Sequence, residues 1–161
     1  MFRFPDPVNE ISARLVAGGV VALATAALVT GQPWLYVVLA YGFVARVVSG
    51  PTLSPLGQFV TRIATPALGA APRFVPGPPK RFAQGIGASL SVPAAVLAVT
   101  GSAPVVAVAL VAAIVVAASL ESLFAFCLGC RIFALLVRSG LLSEQVCQEC
   151  SDLSGRFRTL A

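Results

Sequence analysis

Apolar stretches about as long as a lipid bilayer is thick run through this chain and leave few folds open to it. Residues 11–30 read ISARLVAGGVVALATAALVT, and residues 34–50, 82–100 and 105–126 are similarly apolar. A helix rising about 1.5 Å per residue needs about 20 such residues to cross the hydrocarbon core. The composition agrees: 58% of the 161 residues are hydrophobic and 11% charged, whereas soluble domains carry about 25% charged residues. Mean hydropathy is +0.93. A soluble domain of this size could not cover its surface with so few polar groups, so the solvent is lipid.

The expected fold class is all-α, a four-helix transmembrane bundle with short extracytoplasmic turns, a cytoplasmic central loop and a short C-terminal helix. Residues 1–142 form the membrane domain and residues 143–161 a cytoplasmic tail with two cysteines. A secretory-signal reading of the first stretch has Arg3, Arg14 and Ala24-Thr-Ala26 in its favour. Against it stand the length of the apolar run and the polar lead of Asp6, Asn9 and Glu10. Trp34 and Tyr36 begin the second stretch where an interfacial aromatic belt would lie. Between the second and third stretches, residues 56–68 form either a short helix along the membrane surface or a plain linker. Gly85, Gly87, Ser89 and Ser91 allow close helix approach in the third span, and Pro93 predicts a kink there.

Orientation follows from the basic residues. Residues 31–33 and 101–104, the turns after the first and third spans, contain no Lys or Arg, and all 11 basic residues fall on the opposite side. Cytoplasmic loops carry the Lys and Arg excess, so both termini are expected inside, at the plasma (inner) membrane. The net charge of +5 therefore reports topology. The basic residues form no dense run interleaved with aromatics, and nucleic acid is not an expected partner. Histidine is absent, which excludes Ser-His and Cys-His catalysis and leaves Cys, Asp or Glu for any metal.

The four cysteines form two pairs, Cys127-Leu-Gly-Cys130 and Cys147-Gln-Glu-Cys150. Both pairs are expected to face the cytoplasm, where permanent structural disulfides are rare. Three readings follow. In the first, the pairs cycle between dithiol and disulfide, with no cofactor. If the fourth helix breaks and restarts near Gly129, Cys127 gains a helix N-terminus and a neighbouring cation, and both stabilise a thiolate. A straight helix gives no such help. In the second, the C-x2-C-x16-C-x2-C spacing holds a structural zinc through Cys127, Cys130, Cys147 and Cys150, in a non-enzymatic scaffold. In the third, Cys127 and Cys130 are small apolar packing residues and the tail pair is incidental.

Glu121 is the other anomaly, since a carboxylate inside an apolar span costs about 2.5–3.5 kcal/mol unless paired or wet. It lies about 24 Å along its helix, and Arg46 lies about 18 Å along a parallel one, so an interhelical Glu121–Arg46 pair is expected. A proton relay from Glu121 to Cys127 is the alternative, though the two are six positions apart and off one helical face. Lys80 and Arg81 open the third span, where they would contact lipid headgroups or an acidic partner.

Pro5-Asp-Pro-Val-Asn9, Ser54-Pro-Leu56, Pro79-Lys-Arg-Phe-Ala83, and Glu121 followed by Phe126-Cys-Leu-Gly-Cys130 are spread over most of the chain. Together they resemble a bacterial membrane family known as domain of unknown function forty-three ninety-five. Members often carry Asp-Phe before the Arg of the second span, where this chain has Gly42-Phe43. The resemblance implies four spans with a CxxC at the membrane edge. It also implies association with thioredoxin-like or sulfurtransferase proteins, which makes cytoplasm-facing thiol–disulfide or sulfur exchange the expected function.

Overall fold

The computed structural model describes residues 6–69 and 71–140; Cys147 and Cys150 lie outside the described residues. The fold is helical. Four long helices, α1 (Glu10–Thr30), α2 (Pro33–Ser49), α5 (Gly77–Thr100) and α6 (Pro104–Phe124), are followed by the short α7 (Leu128–Arg138). Between α2 and α5 the chain forms α3 (Pro55–Phe59), a wide π turn (Val60–Ala64) and α4 (Thr65–Ala67). Residues 55–67 are thus helical and not a plain linker.

The sequence punctuates these helices locally. Asn9 caps α1, its side chain accepting the Ile11 N–H at 3.0 Å. Pro33, Pro55 and Pro104 each begin a helix, where the missing N–H costs nothing and φ is already helical. Gly31 and Gly101 end α1 and α5 with φ of 64° and 66°, the left-handed region that a side chain disfavours. α5, the third of the long helices, begins at Gly77, five positions before the expected Phe82. Pro78 and Pro79 are tolerated because a first turn has no partner for its N–H groups in any case.

Three of these helices, α1, α5 and α6, are long and apolar enough to cross a membrane. The second, α2, has 17 residues, lies within one position of the expected 34–50, and is followed by Gly50-Pro51. α1 packs on α2 and α6, and α5 packs on α2 and α6, which closes a ring. The core within the ring joins small and β-branched side chains, with Ala24, Ala27, Ala94 and Val111 fully buried, to the larger Leu35, Tyr36, Leu39 and Phe43 of α2. The outward faces are apolar as well: Val29, Val99, Val105 and Leu123 are all exposed. Such a chain is apolar inside and out, as a lipid solvent requires and water does not allow.

Two connections tie the ends of the helices together on the side opposite the Gly31 and Gly101 turns. A two-residue antiparallel pairing joins Val8–Asn9 to Phe74–Val75. Asp6 Oδ1 accepts the Gly77 N–H at 2.9 Å, so the Asp6-to-Asn9 segment caps both α1 and α5. At mid-bundle α2 and α5 approach so closely that a Cβ on Gly87 would collide with the Phe43 ring. Gly87→Ala is therefore expected to cost about 1–3 kcal/mol by overpacking, measured as thermal unfolding in detergent. Combining it with Phe43→Leu should recover part of that loss. Simple addition of the two losses would contradict the contact.

Candidate functional site

The thiol pair Cys127 and Cys130 sits where the last long helix breaks. α6 ends at Phe124 because Ala125 turns left-handed, at φ 55°, alone among the described non-glycine residues. An L-residue held there costs about 1–2 kcal/mol, so something must hold it. The guanidinium of Arg14, on α1, does so. Its Nε and Nη2 donate to Ser122 O at 3.1 and 3.0 Å, and Nη2 also donates to Leu123 O at 3.2 Å. A cation on the exposed carbonyls of a helix C-terminus satisfies both their hydrogen bonding and the helix dipole.

The chain re-enters helix at Leu128, with Cys127 as its cap: the Cys127 Sγ accepts the Cys130 N–H at 3.3 Å. This is the broken-helix alternative, with the break four residues earlier than the Gly129 position considered from sequence. Gly129 lets the first turn of α7 lie against α5, since a Cβ there would stand 2.5 Å from Ala83 Cβ and 2.6 Å from its Cα. Phe133 of α7 packs on Phe82 of α5, ring centroids 5.5 Å apart, and fixes the far end of the contact.

Beside the thiols, Lys80 Nζ and Glu121 Oε1 form an ion pair of 2.5 Å with side chains only 11% and 15% exposed. Cys127 is buried and Cys130 half-buried. Two cavities meet at Cys127. One, of about 200 Å³ and mostly apolar, lies between α5, α6 and α7 and carries Gln84 and Glu121. The other, of about 300 Å³, includes Glu10, Lys80, Cys130 and Arg131.

These surroundings divide the two thiols. A hydrogen bond from Cys130 holds the Cys127 thiol below its ordinary pKa, against burial and the Glu121 charge, with Lys80 and the Cys130 backbone N–H assisting. The same hydrogen bond, with burial, pushes Cys130 up. Of the two thiols, Cys127 is the one whose ionisation these surroundings favour. Among the described residues no group of three His, Cys, Asp or Glu side chains is placed to hold a metal; a four-cysteine site would need Cys147 and Cys150, outside those residues.

A family model described as Domain of unknown function (DUF4395) matches residues 8–138. The chain belongs to this family. No curated protein and no solved structure matches it. The DUF4395 match contains Cys127 and Cys130 and ends before Cys147 and Cys150.

Two expectations are corrected in this DUF4395 chain. Glu121 pairs with Lys80, not with Arg46. The reason is the early start of α5, which brings Lys80 into its first turn and to the depth of the carboxylate. Arg46, 5% exposed, is instead held by neutral groups, its Nε donating to Gln84 Oε1 at 2.9 Å and its Nη1 to Ser54 Oγ at 3.3 Å. Lys80 is largely buried in this ion pair and is not a free headgroup contact. Arg81 is exposed and donates to Val47 O at 3.0 Å, near the end of α2.

The charges around Cys127 make opposite predictions for two substitutions. Lys80→Met removes a cation that favours the thiolate, so the pH midpoint of Cys127 alkylation should rise. Glu121→Gln removes an opposing anion, so that midpoint should fall. Rates measured across pH by peptide mass spectrometry check both signs, and movement in one common direction would contradict the site as described.

Proposed function

We propose that this protein carries out thiol–disulfide exchange, or the related transfer of sulfane sulfur, with a soluble thioredoxin-like or sulfurtransferase partner. The observation that carries the reading is the position of Cys127: its sulfur caps a helix N-terminus, takes the Cys130 N–H and lies near Lys80. A thiolate, not a thiol, is the nucleophile, and these are the features that favour it.

In the exchange, the Cys127 thiolate attacks one sulfur of the partner's disulfide. A mixed disulfide forms and the partner's other sulfur leaves as a thiolate. Cys130 then loses its proton and attacks the Cys127 sulfur, releasing the second partner thiolate. The products are a Cys127–Cys130 disulfide and a partner dithiol: two electrons pass to the partner, and its two thiolates take up the proton Cys130 releases and the one Cys127 lost to solvent on forming its thiolate. The reverse sequence oxidises the partner. Cys147 and Cys150, on the tail, serve as a relay pair that exchanges with Cys127–Cys130.

The reading includes a topology. α2 crosses with α1, α5 and α6 as the fourth span of a plasma-membrane protein, and both termini are cytoplasmic. What supports it is the distribution of basic side chains: Arg14, Arg46, Lys80 and Arg81 make their contacts at the thiol end of the helices, while the Gly31 and Gly101 turns contain no Lys or Arg. Basic ends of membrane helices face the cytoplasm.

The exchange predicts an asymmetry between the cysteines. Cys130→Ser should accumulate a mixed disulfide through Cys127 with an oxidised thioredoxin-like protein, because the resolving thiol is gone. Cys127→Ser should form none through Cys130. Non-reducing gels and peptide mapping of the adduct read the result. Equal trapping by both variants, or by neither, would overturn the mechanism.

A further inference from the structure

Arg46 is buried at the end of α2, and a guanidinium does not shed its proton. Its contacts within hydrogen-bonding or stacking range are all neutral: the Gln84 carbonyl, the Ser54 hydroxyl and the Phe43 ring, whose centroid is 4.6 Å away. Its Nη2 has no partner. Glu121 attracts Arg46 through space but is bonded to Lys80. Arg46, Lys80 and Glu121 therefore sum to one uncompensated positive charge, and buried charges ordinarily have counter-charges.

The geometry indicates where the missing anion would sit. In a planar guanidinium, Nε–H and one Nη2–H point the same way. Because Nε–H goes to Gln84, one of the two unpartnered Nη2 hydrogens also leaves on the Gln84 side, from a nitrogen that is itself buried. A cavity of about 260 Å³ lies there, with Arg46, Gln84 and Lys80 in its wall and the apolar Val8, Val16 and Pro51 around the rest. One water needs only about 10–15 Å³ on this measure, so a bare inorganic ion would leave most of the cavity unfilled.

We infer that this cavity binds a small amphiphile through its oxyanion, a carboxylate or phosphate ester on an apolar body. The oxyanion lies at the wall formed by Arg46, Gln84 and Lys80, over the buried guanidinium whose charge it compensates. The Gln84 amide nitrogen is a donor there, since Gln84 Oε1 is already taken by Arg46. The apolar body lies between α1 and the Val8–Asn9 segment. The inference does not depend on the thiol chemistry, because neither Cys127 nor Cys130 lines this cavity.

The test uses the full chain in a neutral detergent, with decanoate titrated below its micelle-forming concentration and unfolding temperature as the readout. Decanol and inorganic phosphate are the controls for the apolar body alone and the oxyanion alone. Decanoate should give a saturable stabilisation that neither control reproduces. Arg46→Gln should weaken decanoate binding by at least about tenfold, through loss of the buried positive charge. Ala13→Leu, which fills the α1 wall and leaves Arg46 in place, should weaken it comparably and decides the matter if Arg46→Gln does not fold. Equal stabilisation by decanol, full stabilisation by phosphate alone, or unchanged affinity in a folded variant would each overturn the inference.

Discussion

The guanidinium of Arg14 on the last carbonyls of α6 is the contact from which the rest of the thiol site follows. Without a partner, Ser122 O and Leu123 O would be exposed acceptors at an apolar helix end, and continuing the helix would be the cheaper solution. With Arg14 in place the helix can stop, Ala125 can turn left-handed, and Cys127 becomes the cap of a new helix instead of one more position on an old one. The cation is on α1 and the carbonyls on α6, more than a hundred residues apart in sequence, so the break is a tertiary event.

The same end of the protein concentrates its charges. Lys80 and Glu121 join α5 to α6, Arg81 joins α5 to α2, and Arg46 joins α2 to both α3 and α5. The opposite end is closed by short uncharged turns. Packing along the ring depends on small residues and van der Waals contact, as it must where lipid supplies no hydrophobic force between helices. Register is set instead by the polar groups at one end. Lys80 has a further role: it neutralises Glu121 and also adds positive potential at Cys127. A carboxylate that would otherwise suppress a thiolate is thereby held in the wall of the thiol cavity.

Much of this fold was legible in the sequence, because an apolar run near 20 residues long has few alternatives to a helix in lipid. Residues 11–30 and 105–126 differ from α1 and α6 by no more than two positions at either end. Glu121 and the CxxC pair were visible as chemistry out of place. The start of α5 was not, because Pro76, Pro78 and Pro79 read as loop until one allows that a first turn tolerates them. That misreading left Lys80 outside the helix and gave Glu121 the wrong partner. Arg14 was counted only as a topological charge, since nothing local in the sequence says that its side chain reaches α6. Asp6 and Asn9 carried a usable signal, a pair of capping residue types ahead of an apolar run.

The central claim is that the local structure makes Cys127 the thiolate and Cys130 the protonated partner. The most direct measurement is site-resolved alkylation of the reduced protein with a limiting reagent across pH, in a Cys147→Ser/Cys150→Ser background, with the modified peptides identified by mass spectrometry. The account predicts that Cys127 is modified first and with a midpoint below that of an ordinary thiol, while Cys130 reacts only at higher pH. Modification of Cys130 first, or of both at the pH of an ordinary thiol, would contradict it.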